Sequence, residues 1–140
     1  MKKIGIIGTR RRNTRTAFIA VKDAFFSVYE DGDWIISGGC PKGGDAFAER
    51  IARDFGIPIL ILHARWNHEW VEFEGFQGKF IRKYNKAAGF IRNTPIAEHS
   101  DILIACVHPD RTGGTEDTIK KYKKILEEAV TLKEVELIIV

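Results

Sequence analysis

The stretch KIGIIG, residues 3–8, is a short apolar run that ends in a glycine. Three isoleucines stand in it without regular polar alternation, a pattern typical of a strand that is buried on both faces of a parallel sheet. Glycine at the end of such a strand suits a tight turn that brings the backbone close to a ligand. We therefore predict that residues 3–8 form the central strand of a parallel sheet.

The rest of the chain repeats this order of strand and helix. Apolar side chains at spacings of three and four predict one-sided helices over residues 14–29, 45–56 and 115–130. Further apolar runs predict strands at residues 34–37, 57–62, 101–107 and 136–140. Because parallel strands need crossover connections, we predict an α/β fold of the Rossmann-like, three-layer type with a parallel five-stranded sheet.

Residues 64–90 depart from this order, since they contain two of the three tryptophans and show no single period. We interpret them as an elaborated loop followed by a helix that runs towards Ser100. The pair Thr94-Pro95 marks either the start of that helix or a kink in it. Self-association into a homo-oligomer is expected, because an apolar patch would be exposed if the loop left its aromatic side chains in water, namely Trp66, Trp70, Phe73 and Phe76.

Length and composition predict a single folded domain over residues 1–140, with 44% hydrophobic and 29% charged residues. The net charge of +3 is mild and forms no long basic stripe, so we expect a small anionic ligand and do not expect nucleic acid as a partner. The two cysteines and four histidines lack metal-ligand spacing, and we expect no metal and no cofactor. The short apolar runs predict a cytoplasmic protein without membrane association.

Glycine-rich turns follow three of the predicted strands, at residues 8–12, 37–46 and 108–117. Ligands of open parallel sheets bind at the carboxyl ends of the strands, where glycine lets backbone N–H groups approach and a helix N-terminus adds positive charge. The three turns are therefore predicted to form one ligand crevice. They contain neither a GxGxxG dinucleotide fingerprint nor a GxxxxGK[ST] P-loop, which argues against an ordinary NAD site or ATPase.

Four ordered motifs extend the pattern over nearly the whole chain: IGIIGTR (4–10), IISGGCPKGGDAFAERIA (35–52), AAGFIRN (87–93) and TGGTEDTI (112–119). Together they resemble the SLOG superfamily, and most closely its small single-domain, YspA-like branch in bacteria and phages. The resemblance implies a pocket for a nucleotide or a nucleotide-derived molecule. Among the relatives, LOG enzymes are phosphoribohydrolases that cleave the bond between base and ribose 5′-phosphate, whereas DNA-processing protein A binds nucleic acid.

On this resemblance the candidate nucleotide-binding residues come from four segments. They are Gly8, Thr9, Arg10, Ser37, Gly38, Gly39, Gly43, Asp45, Arg92, Asn93, Gly113, Gly114 and Thr115. The amides of residues 113–115 would take phosphate oxygens and Arg10 would grip the phosphate, while Glu116 or Asp117 would meet the ribose or positive charge that forms on it.

Three functions stay open, and the first is a nucleotide-binding sensor or ligand-binding module. The second is a nucleoside monophosphate phosphoribohydrolase with Arg92 and Glu116 as catalytic residues, and the third is a binder of single-stranded nucleic acid. In the LOG pattern, however, a glutamate stands where this chain has Thr118, and Glu116 lies two positions earlier. That displacement places binding ahead of catalysis.

Overall fold

The computed structural model describes the backbone of residues 1–63, 69–72, 80–83, 88–128 and 136–140, and the side chains of residues 1–63, 91–128 and 136–140. The strands are β1 (Lys3–Gly8), β2 (Trp34–Ser37), β3 (Ile59–Ile61), β4 (Glu69–Glu72), β5 (Phe80–Lys83), β6 (Ile102–Cys106) and β7 (Glu136–Ile139). The helices are α1 (Arg15–Val28), α2 (Gly44–Phe55), α3 (Ala88–His99) and α4 (Gly114–Glu128).

Five strands form a parallel sheet in the order β3-β2-β1-β6-β7, with β1 at its centre. On one side Gly5 is paired with Ile36 of β2, and on the other Ile6 is paired with Ile104 of β6. The chain builds the sheet outward from β1 to β3 and then returns to β6, so its direction switches between β1 and β6. The prediction of a Rossmann-like α/β fold with a central first strand is confirmed.

Each face of the sheet is covered by a pair of helices, which gives the three layers. On one face, Ile4, Ile6 and Ile104 pack in a cluster with side chains of α1 and α2 such as Phe25 and Ile51. The opposite face is covered by α3 and α4, and its cluster consists of Ile7, Ile36, Ile96, Ala97, Leu103, Ala105, Ile119 and Tyr122. Burial of both faces explains why β1 and β6 read as continuous apolar runs.

The ends of the first two helices follow the sequence signals. Thr14 caps α1, and its hydroxyl oxygen accepts a hydrogen bond from the backbone N–H of Ala17 at 3.2 Å. Gly56 ends α2 in the left-handed conformation with φ of 65°, which glycine adopts without a steric penalty. Thr14 thus fixes where α1 begins, and Gly56 fixes where α2 ends.

The region 64–90 differs from its predicted form. Its described residues include an antiparallel hairpin of β4 and β5, in which Glu69 is paired with Lys83, whereas the sequence analysis predicted only a loop before the helix. The aromatic and β-branched residues of both segments favour strands, but the seven residues between them, although they include Gly75 and Gly78, contain no two-residue turn signal such as Asn-Gly or Asp-Gly that announces a hairpin. The residues Trp66, Phe73 and Phe76 and the side chain of Trp70 lie outside the described part, so self-association stays a prediction.

The bounds of α3 exclude one of the two interpretations of Thr94-Pro95, namely that this pair marks the start of the helix. Pro95 lies inside this helix and not at its first position. Proline lacks the backbone N–H that would continue the helical hydrogen bonding at this point.

No helix in the described ranges is both long and apolar enough to cross a membrane.

Candidate functional site

A cavity of about 560 Å³ lies at the carboxyl ends of β1 and β6, where the strand order switches. This volume falls within the range of small-molecule sites. Its lining is Ile7, Gly8, Thr9, Arg10, Arg11, Cys40, Asp45, Arg92, Asn93, Ile96, Thr112, Gly113, Gly114, Thr115 and Thr118. The loops after β1, β2 and β6 thus meet in one place, together with one face of α3.

Most of the predicted nucleotide-binding residues line this cavity. The structure brings together Gly8, Thr9, Arg10, Asp45, Arg92, Asn93, Gly113, Gly114 and Thr115. Ser37, Gly38, Gly39, Gly43 and Glu116 are not among the residues that line it. Periodicity located the turns after the strands, but it does not show which residues of a turn point towards the space between them.

The three arginines that follow β1 have different surroundings. Arg10 is exposed and lines the cavity, and no hydrogen bond or ion pair holds its guanidinium among the described residues. Arg11 instead binds the carboxylate of Asp110 with both terminal nitrogens, and Arg12 donates to the carbonyls of Val107 at 3.0 Å and Val140 at 2.7 Å. Arg10 is therefore the member of this run that is free to meet a ligand.

The contact between Arg11 and Asp110 links the loop after β1 to the loop after β6 at the cavity. Asp110 also accepts hydrogen bonds from the backbone N–H of Thr112 at 3.1 Å and from its hydroxyl at 2.9 Å. The hydrogen bond from Arg11, together with those from Thr112 and the charge of Arg11, holds the pKa of Asp110 well below its usual range. Sequence reasoning missed this link, because 99 residues separate the partners and no short motif joins them.

Two glycines outside the cavity let the end of β1 and the start of α2 approach each other. A Cβ on Gly44 would lie closer than 3.0 Å to backbone atoms of Ile7 and Gly8. Gly43 has φ of 76°, and a Cβ there would meet the carbonyl of Thr9. The close approach places Asp45, the second residue of α2, beside the cavity.

Asp45 and Arg92 form the inner wall of the cavity. Asp45 is 7% exposed, and its carboxylate accepts hydrogen bonds from the backbone N–H groups of Gly38 at 3.3 Å and Cys40 at 3.1 Å. Burial raises the pKa of Asp45, although these two N–H groups and the charge of Arg92 counteract it. A buried carboxylate beside a cavity is a frequent feature of functional sites.

The guanidinium of Arg92 is only partly used by the protein. One terminal nitrogen, Nη1, donates a hydrogen bond to the carbonyl of Gly38. Its Nε is buried and has no hydrogen-bond partner within the described part of the chain. The other terminal nitrogen, Nη2, forms no hydrogen bond with the described residues, so Arg92 combines a fixed position with a donor that a ligand can use.

The start of α4 forms another wall of the cavity. Gly113 has φ of 99° and turns the chain into the helix, whose first residues Gly114 and Thr115 line the cavity. The first backbone N–H groups of a helix lack acceptors within it, and the helix dipole adds about half a positive charge there. This wall suits an anion.

Three polar side chains of the first turns of α4 have partners within the protein. Glu116 accepts hydrogen bonds from the guanidinium of Arg111, and Asp117 forms an ion pair with Lys121 at 2.8 Å. Thr118 lines the cavity but donates its hydroxyl to the carbonyl of Gly114 at 3.2 Å. Neither Glu116 nor Asp117 lines the cavity, and Asp45 is the only carboxylate among the described lining residues.

Groups of three or more histidine, cysteine, aspartate or glutamate side chains that could hold a metal ion do not occur in the described ranges. Cys40 lines the cavity and Cys106 is buried in β6, and both thiols are free.

Comparison with known proteins identifies a similar fold and no similar sequence family. No protein-family model matches the sequence, and no curated protein matches it. A solved structure of DNA processing protein A from Helicobacter pylori, studied for its single-stranded DNA binding mode, aligns with a TM-score of 0.64 at 18% sequence identity. The alignment covers 99% of this chain and 64% of that one, so this chain spans a little under two thirds of its length.

The comparison corrects one prediction of the sequence analysis. Nucleic acid was not expected as a partner, because the net charge is mild and no basic stripe is present. That prediction is wrong, since the same fold belongs to a protein that binds single-stranded DNA. A low net charge averages over the whole surface and does not report the local charge of a binding cavity.

Proposed function

We propose that this protein binds a nucleotide in the cavity between β1, α3 and α4, and that it acts as a ligand-binding module. The observation that carries the proposal is Arg10, whose guanidinium lines the cavity without a partner among the described residues. The same cavity is lined by the positive N-terminal end of α4 at Gly114 and Thr115. A phosphate in the cavity would gain charge-assisted hydrogen bonds from Arg10 and from the backbone N–H groups of this helix end.

The balance of charge in the cavity supports the same ligand. Of the three arginines that line it, Arg11 is neutralised by Asp110, and Arg10 and Arg92 stand against one lining carboxylate, that of Asp45. The volume of about 560 Å³ accommodates a nucleoside monophosphate.

Binding is favoured over catalysis by the position of Glu116. A phosphoribohydrolase would need this carboxylate at the sugar, but Glu116 is held by Arg111 and does not line the cavity. The LOG-like activity therefore stays the alternative, and it requires Glu116 to leave its ion pair.

The test is isothermal calorimetry of the purified chain with the four ribonucleoside monophosphates and with the matching nucleosides. We expect at least one monophosphate to bind and the nucleosides to bind at least about tenfold more weakly, because they lack the phosphate. Absence of heat with every monophosphate would contradict the proposal.

The similarity to DNA processing protein A favours a second candidate, binding of single-stranded DNA. In this case the cavity would hold one nucleotide of a longer strand, and exposed cations near it, such as Lys42, would contact neighbouring phosphates. Fluorescence anisotropy with a labelled oligo(dT) at two salt concentrations tests this candidate. A strand that binds much more tightly than the monophosphate, with a steep loss of affinity in salt, supports it.

A further inference from the structure

The inner wall of the cavity places a hydrogen-bond donor beside an acceptor. Arg92 and Asp45 both line the cavity, one from α3 and the other from α2. Their polar ends converge on Gly38, where an added Cβ would lie closer than 3.0 Å to both Nη1 of Arg92 and Oδ2 of Asp45. Glycine at position 38 thus leaves the space in which the two side chains meet.

Both groups keep capacity that the protein does not use. Arg92 donates to the carbonyl of Gly38 through Nη1, and its other terminal nitrogen, Nη2, forms no hydrogen bond among the described residues. Each carboxylate oxygen of Asp45 accepts one backbone N–H, whereas a carboxylate has about four acceptor sites. Burial of polar groups with unused hydrogen-bonding capacity is costly, and a ligand group that both accepts and donates would remove that cost.

We infer that Asp45 and Arg92 bind a ribose hydroxyl of the nucleotide, with Arg92 donating to the hydroxyl oxygen and Asp45 accepting its proton. The inference rests on the proposed function and names the chemistry of its inner subsite. A phosphate does not suit this wall, because the carboxylate of Asp45 would repel it. A hydroxyl matches both partners, and the sugar is the part of a nucleotide that adjoins the phosphate.

Selection of ribose over deoxyribose follows from this arrangement. With deoxyribose, Asp45 and Arg92 would stay desolvated without the partner that the hydroxyl supplies, and a site that loses such a partner discriminates strongly. The base has no part in this selection. The sugar phosphates without a base therefore make the cleanest probes.

The experiment compares ribose 5-phosphate with 2-deoxyribose 5-phosphate, and adenosine monophosphate with its 2′-deoxy and 3′-deoxy forms, by calorimetry. We expect removal of one of the two hydroxyls to weaken binding by about tenfold or more, in the presence and in the absence of a base. Equal affinities for all sugars would overturn the inference and leave nucleotide binding intact. Failure of every monophosphate to bind would instead overturn the proposed function, and the inference with it.

The variant Asp45→Asn tests the residue assignment. We expect it to retain binding of the phosphate and to bind adenosine monophosphate and the deoxy form that the unaltered protein discriminates against within about threefold of each other, because the acceptor of the hydroxyl proton is weakened. Asp54→Asn removes the same charge from an exposed position of α2 and should keep the full preference for ribose. Retained selectivity in Asp45→Asn would overturn the assignment, and if this variant does not fold, the comparison of sugars with the unaltered protein decides the inference.

Discussion

The side-chain amide of Asn93 on α3 holds the first turn of α4: its Nδ2 lies 3.0 Å from Oδ2 of Asp117 and 3.2 Å from the carbonyl oxygen of Gly114. Asn93 is 4% exposed, and an amide nitrogen has two protons to donate. Both are engaged by α4, so Asn93 positions the anion-binding wall, and only its carbonyl oxygen remains for a ligand.

Replacement of Asn93 by alanine should destabilise the fold by about 1 to 3 kcal/mol, because both hydrogen bonds are lost and their acceptors lie at a packed helix contact. Urea unfolding measures this change, and calorimetry should show weaker nucleotide binding as the start of α4 shifts. Glu98→Ala, at an exposed position of the same helix, serves as the control and should alter stability by less than about 0.5 kcal/mol. Unchanged stability in Asn93→Ala would contradict the role of this amide.

Arg10→Ala should reduce nucleotide affinity by about ten- to a hundredfold, since a charge-assisted hydrogen bond is worth roughly 1.5 to 3 kcal/mol. Stability should hardly change, because Arg10 is exposed and has no partner among the described residues. Calorimetry and thermal unfolding measure the two effects. Arg15→Ala removes the same charge from the exposed start of α1 and should bind as the parent does. Equal losses of nucleotide affinity in Arg10→Ala and Arg15→Ala would mean that binding depends on the net charge of the protein and not on the position of Arg10.

Gly44→Ala and Gly114→Ala should have opposite effects on fold and ligand. A Cβ at position 44 would collide with the backbone of Ile7 and Gly8, so we expect a loss of about 3 kcal/mol or more in urea unfolding. At position 114 the nearest atom to such a Cβ is Nδ2 of Asn93 at 3.9 Å. Gly114→Ala should therefore fold normally and lose affinity, because its methyl group enters the cavity. A well-folded Gly44→Ala would disprove the close approach.

Glu116→Gln separates a binding module from a phosphoribohydrolase. Because Glu116 is paired with Arg111 away from the cavity lining, nucleotide affinity should stay within about twofold of the parent. We also expect that neither protein releases ribose 5-phosphate from any nucleoside monophosphate, as measured by chromatography. Release by the parent chain together with its loss in Glu116→Gln would establish the enzyme instead.

The central strand and its glycine turn were predictable because burial on both faces leaves a direct mark, an unbroken apolar run from Ile4 to Ile7 that ends in Gly8. In the same way, the apolar run of β6 located the glycine-rich turn at Gly113 that follows this strand. What could not be predicted depends on contacts between distant segments. The ion pair between Arg11 and Asp110 has no local signal in the sequence. The different surroundings of Arg10, Arg11 and Arg12 arise only when the loops after β1 and β6 meet.

The hairpin of β4 and β5 could not be predicted for a different reason. It lies in an insertion whose strands, among the described residues, pair with each other and not with the main sheet. Its residues therefore lack the continuous apolar run of a central strand, and no two-residue turn signal stands between them. Asp45 illustrates a third limit. The sequence motifs made it a candidate nucleotide-binding residue, but only the folded chain places it next to Arg92.

Asp33 should make stability depend on acid pH. It is 2% exposed, and its carboxylate accepts the backbone N–H groups of Lys2 at 2.7 Å and Glu30 at 3.0 Å and pairs with the ammonium of Lys2 at 3.0 Å. Burial alone would raise the pKa of Asp33, but these N–H groups and the charge of Lys2 outweigh it and lower the pKa from 3.8. The folded state therefore binds the proton less readily than the unfolded state does.

This difference stabilises the fold above the ordinary carboxyl range, and the contribution is lost as the pH falls through the lowered pKa of Asp33. Asp33→Asn should accordingly cost about 1 to 3 kcal/mol at pH 7, and the gap to the parent chain should close as the pH falls below about 4. Urea unfolding at a series of pH values measures it. Asp54→Asn, which removes an exposed carboxylate, should differ little from the parent throughout, since exposed ion pairs contribute little. A gap that stays constant down to pH 3 would show that Asp33 acts through packing and not through its charge.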